Sequence, residues 1–334
     1  MEIFPMTLNR RTLLSLTGGL AGAVIAPATL RAADLPQEVR IDYATYSPTS
    51  LVLKRFGWLE EDLKRDGVAV KWVFSAGSNR ALEYLNAKSL DIGSAAGLAA
   101  LLARANGNPI RAPYIFSRPE WTALLVPKDS PIRTLADLKG KKVAATKGTD
   151  PYLFLLRALQ TVKLKRSDIE HVSLQHADGR AALEQGRVDA WAGLDPHMAA
   201  SELTAGSRLL YRNVAFNTYG FLNVREDFQQ RHPELLRRVI GAYERARLWT
   251  LANTGEAARI LADEAKVSLQ VALLQLKLRT DLSNPQPSAE HVKALQAATP
   301  ILLDEQLVKP GTDLLRTVEA LVDTRFAQGL IRQA

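Results

Sequence analysis

Four short segments of the sequence concentrate hydroxyls and glycines. They are Tyr46-Ser47-Pro48-Thr49-Ser50, Ser75-Ala76-Gly77-Ser78, Ser94-Ala95-Ala96-Gly97 and Thr146-Lys147-Gly148-Thr149-Asp150. All four carry Ser or Thr, three carry Gly, and each runs into residues with helical spacing. Such turns can hold an anion. A helix N-terminus presents unpaired N–H groups and a partial positive charge, hydroxyls add donors, and glycine lets the backbone come close. Ser, Thr and Asp are also good N-caps, and for any one turn capping alone explains the composition. For four turns together the two readings stand level. The candidate ligand contacts are therefore Ser47, Thr49, Ser75, Gly77, Ser94, Lys147, Gly148 and Thr149. Lys147 either pairs with an anion or stands in solvent. Trp121 and Trp191 offer faces for stacking or bulk for packing. Asp195-Pro196 reads either as a ligand-facing loop or as a helix cap followed by proline.

Groups that break bonds are not visible. The five histidines, His171, His176, His197, His232 and His291, lack metal-site spacing. Beyond residue 32 there is no G-x-S-x-G elbow, no G-x-x-x-x-G-K-[ST] phosphate loop and no G-x-G-x-x-G fingerprint. No catalytic residue, metal or cofactor is expected. An enzyme on this scaffold would need an acid/base pair in the cleft, beside Thr149.

The elements that position the turns alternate. Val39 to Tyr43 alternates like a strand, and Thr49 to Lys64 has helical spacing. Val68 to Phe74 is a second strand, Asn79 to Ala87 a helix, Leu90 to Gly93 a very short strand, and Leu98 to Ala105 a helix. The pattern restarts with strands at Trp121 to Val126, Lys142 to Ala145, Ile169 to Leu174 and Val188 to Ala192, separated by helical stretches. Phe216 to Val224 is one more strand, and from Pro233 onward the chain reads as helix. This implies an α/β fold with two parallel-sheet lobes. Residues 34–122 plus 223–334 form lobe 1 and residues 126–218 lobe 2, with the chain crossing near Trp121 and Phe216. Ligands in such sheets sit beyond the carboxyl ends of the strands, where all four turns lie.

Composition sets the surroundings. Of 334 residues 47% are hydrophobic, ordinary for a globular protein. The net charge of +8 is spread among acidic residues, and its densest cluster, Lys139-Gly140-Lys141-Lys142, reads as a solvated turn. Nucleic-acid binding is not expected, although a mild positive field attracts anions. There is no cysteine, hence no disulfide, reactive thiol or cysteine-borne lipid anchor. Residues 1–32 read as a signal peptide. Arg10-Arg11 precedes a moderately apolar run, and small residues follow near Ala32-Ala33. The paired arginines resemble a twin-arginine export signal, with an ordinary secretory signal as the alternative, and both lead to the periplasm. No stretch approaches the roughly 20 apolar residues of a membrane span.

Several segments together resemble the periplasmic aliphatic-sulfonate-binding proteins of ABC transporters. They are Ser75-Ala76-Gly77 with Ala81 through Gly93, Asp129-Ser130-Pro131-Ile132 through Lys147-Gly148-Thr149, and Ala177-Asp178-Gly179-Arg180 with Gly186 through Ala192 and Asp195-Pro196. The likeness covers most of the chain beyond residue 32, and the wider group includes taurine, nitrate and sulfate-ester binders. It implies a type II periplasmic-binding-protein fold, with a hinge and a ligand cleft between two lobes. Carried over by position, it implies a site at Ser75-Ala76-Gly77, Ser94, Lys147-Gly148-Thr149 and Asp195. It also implies a small organic anion, a sulfonate, as ligand; a permease and an ATPase as partners; a monomer; and a place in sulfur metabolism. The chain departs from the group at Ser94-Ala95-Ala96-Gly97, at Leu194 and at Tyr46-Ser47-Pro48-Thr49. Those positions would meet the ligand's organic tail and leave its identity open.

Overall fold

The computed structural model describes residues 35–331, so the signal peptide read at 1–32 lies outside the described residues. The strands are β1 (Glu38–Tyr43), β2 (Ala69–Phe74), β3 (Ile92–Ala96), β4 (Ile110–Pro119), β5 (Leu124–Val126), β6 (Lys142–Ala144), β7 (Glu170–Val172), β8 (Ala190–Ala192), β9 (Arg208–Tyr211), β10 (Gly220–Arg225) and β11 (Thr280–Asp281). Among the described residues they form two sheets, ordered β11-β4-β10-β3-β1-β2 and β7-β6-β8-β5-β9. The fold is α/β with two lobes, one built on each sheet. The chain passes from the first sheet to the second between β4 and β5 and returns between β9 and β10.

The ligand-side geometry follows from strand order. β1 pairs in parallel with β2, Tyr43 opposite Phe74, and with β3, Ile41 opposite Ile92. The carboxyl ends of three adjacent strands therefore release their turns side by side. Pro48 starts the helix Pro48–Phe56, where a missing N–H costs nothing, and Gly57 ends it in the left-handed region at φ 63°. In the second sheet β6 is parallel to β7 and β8, and its turn opens the helix Asp150–Thr161.

Four elements differ from the sequence reading. β3 runs on to Ala96, so Ser94 lies inside a strand and not in the turn after it. The cause is distant in sequence: β10 pairs antiparallel with Ser94, Ala95 and Ala96 through Leu222, Phe221 and Gly220. β4 was not anticipated, because Pro113 and Pro119 argue against a strand. The fold tolerates Pro113 at a register shift between β4 and β10 and places Pro119 at the strand end, opposite Thr280. β9 and the two-residue β11 also escaped the reading; both are too short for an alternation to show.

One hydrophobic core runs through both lobes, from Val39, Ile41 and Leu53 to Leu124, Phe154 and Leu159. The outer face of the second sheet has its own cluster around Leu125, Leu183, Met198 and Trp191. Trp191 is fully buried there, against Gly179, where a Cβ would lie 2.6 Å from its Nε1. It is a packing residue.

Candidate ligand cleft

On the first lobe, two hydroxyls are buried and bare: Ser47 Oγ and Thr49 Oγ1 find no hydrogen-bond partner. A third, Ser75 Oγ, is buried beside the Asp42 carboxyl, its one polar neighbour here. The turn that carries the first two is rigid: Ser47 N donates to Ala44 O, and Ser50 donates to Ser47 O through N and Oγ. A buried hydroxyl without a partner is costly and rarely kept without a use. Beneath them lies Asp42, buried, accepting from Ser94 N at 2.8 Å and Ser94 Oγ at 2.7 Å. Burial pushes its carboxyl up to about 7, against the lowering pull of the Ser94 contacts and the neighbouring Ser75 hydroxyl. Tyr46 donates its hydroxyl to Ser94 O at 3.0 Å. Both polar ends of Ser94 are thus engaged inside the lobe.

The turn at Gly97 is also closed. A Cβ there would stand 2.4 Å from Thr218 O, so only glycine fits. Gly97 N donates to that carbonyl and Leu98 N donates to Thr218 Oγ1, which satisfies the start of the helix Gly97–Ala105.

The second lobe presents the turn after β6. Gly148 takes φ 75°, a conformation suited to glycine, and its open side faces Asn79 of the first lobe, whose Cβ would lie 3.4 Å from a Cβ at 148. Thr149 Oγ1 donates to Thr146 O at 2.6 Å and shapes the turn. Lys147 is exposed and lines a cavity of about 390 Å³ at the rim, shared with Asn79, Glu83, Leu102 and Asn106. His176 opens the helix His176–Glu184 and is buried. Its Nδ1 lies 3.2 Å from Thr146 Oγ1, its Nε2 has no partner, and a Cβ on Gly77 would be 2.8 Å from that nitrogen. Burial lowers its pKa to about 3, so the ring is neutral. The two lobes meet at Gly77–His176 and at Asn79–Gly148.

Trp121 and Asp195 are both buried and engaged in contacts within the protein. Trp121 Nε1 donates to Asp150 at 2.9 Å, and its ring stands edge-on to Tyr46, 5.9 Å between centroids. Asp150 also accepts from Thr218 N and Oγ1, at 3.1 and 2.7 Å, so one carboxylate ties both crossings to the second lobe. Thr122 N donates to Asn217 Oδ1 between the crossings. Asp195, joined to Pro196 by a cis peptide, accepts from Ala199 N at 2.8 Å and from Arg279 Nη1 at 3.2 Å. Arg279 also pairs with Glu202. The acid beside Thr149, Asp150, is fully engaged, and His176 meets a threonine and not a carboxylate. Among the described residues there is no group of three or more His, Cys, Asp or Glu side chains able to hold a metal.

Sequence reasoning singled out the hydroxyls and gave no account of the buried Asp42 and His176 or of the contact of Asn79 with the second lobe. His176 was weighed only as a metal ligand. The available signal was its place just past the turn that follows β7, on the same sheet edge as Thr146.

Two α/β lobes joined by paired crossings and meeting at Gly77–His176 and Asn79–Gly148 define a type II periplasmic-binding-protein fold, a two-lobed solute clamp. The chain belongs to the family described as NMT1/THI5 like, which matches residues 57–257. It is 32% identical over 307 residues, 91% of this chain and 95% of the relative, to the putative aliphatic sulfonates-binding protein of Escherichia coli K12. The solved alkanesulfonate-binding protein SsuA of Xanthomonas axonopodis pv. citri, bound to MOPS, is 28% identical with a TM-score of 0.77, covering 84% of this chain and 98% of that one. The periplasmic aliphatic sulphonate binding protein SsuA of Escherichia coli is 30% identical, TM-score 0.72, covering 85% and 92%.

Proposed function

We propose that this chain is the solute-binding component of an ABC importer, which captures an organic sulfonate between its lobes and delivers it to a membrane permease driven by an ATPase. The observation that carries the reading is the set of buried hydroxyls of Ser47, Thr49 and Ser75, the first two without any partner and the third beside Asp42. They follow the ends of the adjacent strands β1 and β2, on the lobe that meets the turn of Gly148 at Asn79. Neutral donors and backbone N–H groups hold the sulfonate oxygens, and Lys147 at the rim adds a positive field. Trp121 and Asp195 support the cleft from the hinge and from the far side, and Ser94 fixes the strand beneath. The ligand bridges the lobes and stabilises the closed form over the open one by contacts present only when both lobes meet. No bond is made or broken. The protein works in the periplasm as a monomer without a cofactor, and no helix among the described residues is long and apolar enough to cross a membrane.

A thermal-shift panel of alkanesulfonates, taurine, aryl sulfonates, sulfate esters and nitrate tests this. Binding to the native state raises the melting temperature by mass action. Sulfonates should shift the transition; a shift by nitrate alone would overturn the reading.

A further inference from the structure

Among the described residues five carboxylates are buried: Asp42, Asp91, Asp150, Asp195 and Glu244. Four of them have an arginine to answer their charge. Asp91 pairs with Arg40 and Arg225, Asp195 with Arg279 and Glu244 with Arg247, while Asp150 stands in the field of Arg157. Asp42 is the exception, because the groups that face it are neutral. From β3 it accepts Ser94 N at 2.8 Å and Ser94 Oγ at 2.7 Å, and at the end of β2 the Ser75 hydroxyl lies beside it. Two phenols stand in its field, Tyr46 from the turn after β1 and Tyr243 from the helix Pro233–Ala252. Burial first, and the Asp42 charge next, hold both phenols above the ordinary tyrosine value, so neither ionises near neutral pH. Across the gap, His176 and His197 are neutral too, lowered by burial to about 3 and about 4.

The direction of the hydrogen bonds here depends on Asp42. A serine hydroxyl has one hydrogen to give. When Asp42 is ionised it draws the hydrogens of Ser75 and Ser94, and Ser75 turns only lone pairs toward an anion in the cleft. When Asp42 is protonated its own O–H donates to Ser75 Oγ, and the Ser75 hydrogen is free for the anion. Ser94 can adjust as well: its Oγ lies 3.3 Å from Tyr46 Oη and can donate there in place of Asp42. Both charge states are therefore accommodated by turning hydroxyls alone. Only the protonated state offers a donor at Ser75 and removes a like charge from beside the ligand.

We propose that the clamp takes up a proton at Asp42 together with its anion and releases the two together. The proposal rests on the sulfonate reading of the cleft. A sulfonate is the anion of a strong acid and brings no proton, so the proton comes from solvent. In the empty cleft burial places the Asp42 carboxyl at about 7, and the charge of a bound anion pushes it higher. The bound form then holds more protons than the empty one, so affinity is highest below about pH 7 and is lost as the pH rises through that value.

Calorimetric titration of the full chain with ethanesulfonate at pH 6 and pH 8 tests the coupling. At pH 8 the titration is run in Tris and in bicine, two sulfonate-free buffers of different ionisation enthalpy, so that the heat difference counts the protons taken up. Uptake at pH 8 should be close to one proton per ligand, and Kd should be about tenfold higher there than at pH 6, as for one group titrating at about 7. Asp42→Asn copies the shape and the donor of the protonated acid. It should bind without proton uptake, with one Kd at both pH values, about tenfold tighter than the parent at pH 8. The proton count is made on the unaltered protein, so it decides the matter even where the variant fails to fold. Ethanesulfonate bound without proton uptake and with equal Kd at both pH values would overturn the coupling and leave the sulfonate reading standing. So would a folded Asp42→Asn protein that keeps the parent's pH dependence. Absence of ethanesulfonate binding at either pH would sink the sulfonate reading and this inference with it.

Discussion

At the scale of single residues, the cleft sets stability against binding. A buried hydroxyl without a partner costs about 1–3 kcal/mol relative to one that is paired. Ser47→Ala and Thr49→Val remove such hydroxyls with little change of shape. Without ligand, each variant should melt at the same temperature as the parent or higher. With ligand, each should bind about five- to thirtyfold more weakly, the equivalent of about 1–2 kcal/mol. Calorimetry of the free protein and titration with an alkanesulfonate check the two halves; a variant that loses stability and keeps affinity would mark the hydroxyl as structural. His176 gives a pH signature. Its folded pKa, about 3, lies below the unfolded 6.5, so the unfolded chain binds the extra proton between those values. Stability present above pH 6.5 is therefore lost as the pH falls toward 3. At pH 5 the loss from this one ring is about 2 kcal/mol. Comparing urea unfolding of the parent and His176→Gln at pH 7.5 and pH 5 should show the variant's penalty on acidification smaller by about that amount. Residue type was legible in the sequence: the Ser/Thr/Gly turns do line one edge. Which hydroxyl is free was not. Ser94 is engaged by Asp42, 52 positions away, and Gly97 by Thr218. Such partners come from strand order, which no local window contains.

At the scale of elements, the ends of helices and strands carry the joints. Asp150 stands in the first turn of its helix and accepts three hydrogen bonds from the two crossings, from Trp121 Nε1 and from Thr218 N and Oγ1. Its burial raises its pKa against those bonds, so the carboxyl is held by geometry and not by solvent. Asp150→Ala would leave three buried donors without an acceptor. It should destabilise the fold by about 3 kcal/mol or more, read by urea unfolding, and loosen the hinge for hydrogen exchange at residues 121–123 and 217–219. The alternating β and α pattern was readable because period-2 and period-3.6 runs are local. The elements that failed were those fixed by partners. β3 is lengthened by β10, and β4 forms across Pro113 because a register shift accommodates the proline. The fold class survived these misses, since neither changes the parallel order β2-β1-β3 that sets the turns side by side.

At the scale of the molecule, the lobes are joined by more than the two crossings. The C-terminal half runs back over the second lobe. Val271 packs on Ala199 and Ala200 of that lobe, while Gln275 Nε2 donates to Thr45 O of the first. Arg279, just before β11 of the first sheet, reaches Asp195 and Glu202 of the second lobe from a buried position. The sequence signalled Asp195-Pro196 but offered no hint of Arg279, because an arginine at the end of a helical run most often caps it or meets solvent. The structure makes this arginine the charge that balances a fully buried carboxylate. A buried pair adds little net stability over apolar packing, yet losing one member is expensive, because the other charge stays buried and alone. Arg279→Ala should therefore cost about 3–5 kcal/mol of unfolding free energy. Part of that cost should vanish in the Arg279→Met, Asp195→Leu double variant, where the fully buried carboxylate leaves with its partner and only Glu202, 22% exposed, loses an ion pair. The contact spans both lobes, so its loss also withdraws support from the closed arrangement. Ligand affinity should fall in the single variant even though Arg279 touches none of the bare hydroxyls, since a smaller fraction of molecules is competent to bind. Urea unfolding and titration on the same preparations separate the two effects. An unfolding free energy unchanged by Arg279→Ala would mean that the second lobe holds Asp195 without it.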